Sequence, residues 1–160
     1  KQALIFCNAR HVVDKMHDSI RKEFENVGYI HAGLSQDKRS SVFRQFKSLK
    51  IRYLLASDVA GRGLDFSQVS HVINWNMPRG RESYTHRTGR TGRMGKRGKA
   101  LTFVTKHELS DLRELLDRNE ISPCWIGENP LQEKHASQDR KKKKRPFRPN
   151  RGKGKKVAKP

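Results

Sequence analysis

Short, mostly apolar runs alternate along this chain with longer stretches whose apolar residues recur at helical spacing. Few folds accept that pattern. Residues 3–7 (A-L-I-F-C), 53–56, 69–75 and 100–104 are the runs, with a shorter candidate strand at 29–31. A brief continuous apolar run is how a strand buried on both faces reads. Between them, Val12, Val13, Met16, Ile20 and Phe24 predict a helix over 11–24, stopped by Gly28. Val42, Phe43, Phe46 and Leu49 predict a second, with Ser35 as its N-cap. A helical stretch begins near residue 81, and Leu109, Leu112, Leu115 and Leu116 mark a last helix over 107–118. Strands alternating with helices of this length predict βαβ units and a parallel sheet covered on both faces. In such sheets ligands gather beyond the carboxyl ends of the strands. That rule singles out residues 8–10, 32–34, 57–65 and 76–79.

Charge narrows the partner. The 160 residues carry a formal net charge of +20. Residues 131–160 contribute 13 Lys or Arg against 2 acids, and the first 130 residues are basic as well. Nucleic acid is the natural partner of such a chain. An anionic membrane surface fits less well, because no basic helix has a clean apolar face and no apolar run approaches a bilayer span. Cys7 and Cys124 are far apart and form no C-x-x-C, which points away from a disulfide framework or zinc site and toward a reducing compartment. No signal peptide is evident, and a chain that opens on a strand reads as a piece of something longer. The expected organisation is an α/β domain over 1–130 and a disordered basic tail over 131–160. The tail has too few apolar residues to offset the entropy of ordering. It would raise affinity for any polyanion, or serve solubility or nuclear addressing.

The densest polar signal is residues 84–98, Y-T-H-R-T-G-R-T-G-R-M-G-K-R-G. Arg87, Arg90 and Arg93 stand three apart, and on a helical or turn-like segment they are expected to point roughly the same way. Three planar guanidiniums beside small residues suit clustered phosphate, although a solvated basic face has the same composition. A second polar string, residues 57–65 (S-D-V-A-G-R-G-L-D), leaves the third strand. Its small residues permit close backbone approach to a ligand, and Asp65 suits sugar hydroxyls. Asp58 reads either as part of that site or as a simple capping residue.

The string His86, Arg87, Gly89, Arg90, Arg93 resembles motif VI of the DEAD-box RNA helicases. Residues 57–65 resemble their motif V, and residues 3–10 their motif IV. His31-Ala32-Gly33 with Gln36 and Arg39 resembles motif IVa. Residues 72–76 with Pro78 resemble the V-I-N-Y-D-x-P segment that follows motif V. Five motifs in family order across residues 1 to about 105 identify the chain with the second, C-terminal RecA-like domain of that family. The resemblance implies a RecA-like three-layer sandwich with a mostly parallel sheet of five or six strands. The histidine that opens motif VI separates it from DNA-unwinding relatives, which usually have Gln there.

By the same resemblance, Arg90 and Arg93 reach the ATP phosphates, one of them as an arginine finger, and His86 meets the other RecA-like domain on closure. Asp65 holds the ribose, with Arg62 and Gly63 beside the nucleotide. Arg10, Gly33, Gln36, Arg39, Ser57, Val59 and Ala60 fall in segments that touch the RNA backbone, which reads RNA without reading sequence. Departures occur at Ala9 (usually Thr or Ser), Ala32 (Gly), Trp75 (Tyr) and Asn76 (Asp), and none of them falls on the motif VI arginines.

Neither a phosphate-cradling G-x-x-x-x-G-K-[ST] nor a D-E-A-D string occurs. The expectation is half an enzyme, without turnover alone. ATP, with its Mg2+, would sit mainly on an N-terminal RecA-like domain, and RNA would favour closure of the two lobes. The partners expected are RNA, that N-terminal domain and ribosomal or other ribonucleoprotein particles. The default compartment is cytoplasmic, with nuclear or organellar addresses open. The alternatives are a non-catalytic RNA- or ribosome-binding module and a DNA-coating protein driven by its tail.

Overall fold

A computed structural model describes residues 1–58, 66, 69–92 and 95–132. The tail beyond residue 132 and most of the motif V string lie outside the described residues. The elements are β1 (Ala3–Cys7), α1 (Arg10–Ile20), β2 (Val27–Ile30), α2 (Gln36–Lys47), β3 (Tyr53–Ser57), β4 (His71–Asn74), α3 (Gly80–Thr88), β5 (Lys99–Thr102) and α4 (Leu109–Asn119). A 3-10 turn, Lys106–Glu108, leads into α4.

The five strands form one parallel sheet in the order β2-β3-β1-β4-β5. The central strand shows why its sequence is apolar throughout. Leu4 and Phe6 enter one core with Phe46, Leu54, Phe66 and Val72, on the face that α2 covers. Ile5 and Cys7 enter another with Val13 and Leu55, on the face that α1 covers. All five residues of β1 are buried. Burial pushes the Cys7 thiol up to about 11, so it stays protonated and inert. A third cluster, Met77, Leu112 and Leu115 with Tyr84, Trp125 and Leu131 against it, joins α3 to α4.

Three predicted boundaries move, each for a physical reason. Gly28 does not stop a helix; it lies inside β2, paired with Leu54. A Cβ there would stand 2.5 Å from Ile51 Cδ1, so the strand passes too close for a side chain. The first helix ends at Ile20, well before Phe24, which is half-exposed and rests against the Tyr53 ring at 5.4 Å. Leu49 follows the end of α2 with φ 63 and is exposed, so it does not extend that helix's apolar face. Ser35 does cap α2, its hydroxyl accepting from Lys38 N at 3.4 Å. No helix among the described residues is long and apolar enough to cross a membrane.

Candidate nucleic-acid interface

Five polar residues converge where β1, β3 and β4 end, and Arg87 is their centre. It lies in the last turn of α3 and is 1% exposed. A guanidinium has five N–H donors, and each one is used here. Nε donates to Asp58 Oδ1 at 2.6 Å and Nη2 to Asp58 Oδ2 at 2.7 Å, a two-pronged ion pair. Nη2 also donates to Asn8 Oδ1 at 2.7 Å, and Nη1 to the Asn76 carbonyl at 3.1 Å and Asn74 Oδ1 at 3.4 Å. The Phe6 ring lies 5.4 Å from its Cζ. The asparagines are tied in turn. Asn8 N donates to Asn76 Oδ1, Asn8 Nδ2 to the Met77 carbonyl, and Asn74 Nδ2 to Thr102 Oγ1.

This corrects the expectation that Arg87 and Arg90 point roughly the same way; Arg93 lies outside the described residues. Helix α3 ends at Thr88 with Gly89 as its C-cap, so Arg90 lies past the helix. Arg87 turns inward as an internal strut, whereas Arg90 is half-buried with its Nε donating to the His86 carbonyl at 3.3 Å. Asp58 supplies the carboxylate that Arg87 grips. Sequence reasoning missed the strut, yet a signal existed. Asn74 sits in a buried run, and a buried amide needs partners.

The segment after α3 is pinned as well. Thr91 pairs with Val69 in an isolated bridge and donates through Oγ1 to the Val69 carbonyl at 2.6 Å. A Cβ on Gly98 would collide with the Thr91 side chain and with Gly92 N, so the strand β5 can enter here only as glycine. Arg90 therefore emerges from a short stretch held by Arg87 on one side and by Thr91 on the other. His86 is exposed on α3, 3.9 Å from Glu82.

Four of the seven expected RNA-contact residues lie in the segments that follow β1 and β2. Arg10 opens α1, and Gly33 lies between β2 and α2, where a Cβ would stand 3.3 Å from Arg10 Nη1. Gln36 and Arg39 follow in the first turns of α2, joined by a 3.3 Å hydrogen bond. Ser57 ends β3 beside Cys7; it is buried and its hydroxyl has no hydrogen-bond partner among the described residues. Val59, Ala60, Arg62, Gly63, Asp65 and Arg93 lie outside the described residues. A cleft of about 530 Å3 opens between α4 and residues 77–81 and shares Asn8 with the strut. None of the described residues expected to meet RNA or nucleotide lines it.

Residues 1–95 match the family model of the helicase conserved C-terminal domain. The chain belongs to the DEAD-box RNA helicases, as their C-terminal RecA-like domain. The ATP-dependent RNA helicase FAL1 of Chaetomium globosum is 41% identical to this helicase domain over 124 residues, 78% of the chain and 32% of the relative. A DEAD-box protein from Methanococcus jannaschii is similar in structure, with a TM-score of 0.71 at 39% identity, over 76% of this chain and 33% of that one. So is Mss116p DEAD-box helicase domain 2 bound to an RNA duplex, with a TM-score of 0.69 at 33% identity, over 75% and 48%. The chain spans about a third of the length of the curated relatives it matches.

Arg90 is partly exposed. Among the described residues, no group of three or more His, Cys, Asp or Glu could hold a metal ion.

Proposed function

We propose that this chain is the second RecA-like lobe of an RNA-dependent ATPase, closing over ATP and RNA held with an N-terminal lobe. The observation that carries this reading is the Arg87–Asp58 strut. It ties the start of motif V, which the family uses on RNA, to the helix end from which the motif VI arginines leave. An RNA strand seated on Arg10, Gly33, Gln36, Arg39, Ser57, Val59 and Ala60 would then bias the position of Arg90 through contacts a few ångströms long. Bound ATP supplies the phosphoanhydride to be cleaved. Arg90 and Arg93 would meet its phosphates, Asp65 its ribose, with Arg62 and Gly63 beside it. Magnesium would be held mainly by the other lobe. His86, exposed on α3, would dock on that lobe when the two close. Positioned guanidiniums stabilise charge on a transferring phosphoryl group, so the arginines act electrostatically. Local separation of an RNA duplex, or remodelling of a ribonucleoprotein, would follow closure.

The chain alone is expected to bind single-stranded RNA and to show no measurable ATP turnover, because the phosphate loop and acidic metal site are not in its sequence. Hydrolysis by the purified 160-residue chain, followed as phosphate release with RNA present, would sink the reading.

A further inference from the structure

His31 is a buried polar residue at the end of β2, 7% exposed, and the strut does not use it. Its two ring nitrogens have different partners. Gly33 N donates to Nδ1 at 3.1 Å, so Nδ1 must be the unprotonated acceptor. Nε2 then carries the hydrogen and donates to Asp14 Oδ1 at 2.9 Å. The two neighbours fix one tautomer of the neutral ring. Gly33 is close-packed between His31 and Arg10, since a Cβ on it would lie 3.1 Å from His31 Nδ1 and 3.3 Å from Arg10 Nη1. Leu34 N closes the turn onto the His31 carbonyl at 3.1 Å. The imidazole therefore sets where the Gly33 loop stands relative to Arg10.

We infer that His31 is the positioning residue of the RNA-contact loop: its neutral ring holds Gly33 against Arg10, and its charged ring releases it. This rests on the RNA reading above. Protonating Nδ1 turns an acceptor into a donor that faces the Gly33 N–H, and two donors at that distance repel. The charged groups that face the ring are the Asp14 carboxylate and the Arg10 guanidinium, both of α1. On β2, the Tyr29 ring lies tilted against His31 at 5.5 Å, with His17 of α1 behind it at 4.5 Å. Burial, with Arg21 adding to it, holds His17 below the ordinary imidazole range. The neighbouring strand β3 carries no ionisable side chain past Tyr53.

The sign is diagnostic. Acidification charges the exposed histidines and should tighten RNA binding by simple electrostatics. Charging His31 works the other way at this loop. The test uses the 160-residue chain and its H31N and H31Q variants. Asparagine keeps an acceptor near the Nδ1 position and cannot charge. Glutamine reaches toward Asp14 but leaves Gly33 N without its acceptor. Two readouts are taken from about pH 8 to about pH 5.5, across the imidazole range. One is the nitrogen and amide NMR signals of His31 and Gly33. The other is affinity for a short oligouridylate.

The Gly33 amide should move with the His31 ring. Relative to H31N, the wild type should lose about three- to tenfold in affinity as the ring charges, the scale of one hydrogen bond. H31Q should bind weakly at both ends of the range. A Gly33 amide that ignores the ring, or parallel affinity profiles for wild type and H31N, overturns the inference. An amide that follows the ring while oligouridylate leaves the loop signals unmoved contradicts the RNA reading, and the positioning role falls with it.

Discussion

Replacing Arg87 with alanine is expected to cost roughly 3–5 kcal/mol of folding stability, the range seen when one member of a buried ion pair is removed. The side chain fills space beside Phe6 and satisfies Asp58, Asn8, Asn74 and the Asn76 carbonyl together. Alanine leaves those acceptors facing a void. The lower end of the range is favoured because the Asp58 side chain is 35% exposed and water can reach it. Lysine should recover little, since an ammonium has three donors and cannot fork onto a carboxylate. Urea unfolding of the 160-residue chain measures the loss. Combining Arg87→Ala with Asp58→Ala should cost clearly less than the two single losses added together, because each change already breaks the same contact. Strict additivity, or a loss under about 1 kcal/mol for Arg87→Ala, the level of an exposed ion pair, would show that the strut does not hold these loops.

The second large effect concerns Arg90. In the full-length parent, Arg90→Ala is expected to lower ATP hydrolysis by about a thousandfold or more, the scale of a lost arginine finger. RNA binding should be nearly unchanged. Arg90 touches the His86 carbonyl through Nε but is not in the strut, so its loss leaves the Asp58 and Asn8 contacts in place. Parallel measurements of RNA-stimulated phosphate release and RNA affinity separate the two functions. An equal loss of both would favour a lobe that only anchors RNA.

The sheet was legible because parallel strands covered on both faces have no polar alternation to obscure them. β1 and β3 are buried along nearly their whole length, and their residues read accordingly. β2 was harder: it has four residues, and its glycine, there because Ile51 takes the space of a Cβ, resembles a helix stop. Phe24 and Leu49 continued a helical period past helices that had already ended, because spacing alone cannot show where a chain turns. At the site, residue types came through better than directions. Spacing grouped Arg87 with Arg90, but the helix end between them sends one inward and leaves the other half-buried. What decides the inward turn is the set of acceptors on Asn8, Asp58, Asn74 and Asn76. They come from three different strand ends and meet only after the sheet has formed. Asn76, where the family usually has Asp, accepts the Asn8 amide here and offers its carbonyl to Arg87.

The most direct test of the central claim is ATP hydrolysis by the full-length parent, measured alone, with RNA, and with DNA of the same sequence. Stimulation by RNA and not by DNA is the expected result of a lobe that reads an RNA backbone and passes its seating to Arg90. No turnover under any condition, or equal stimulation by DNA, would contradict it.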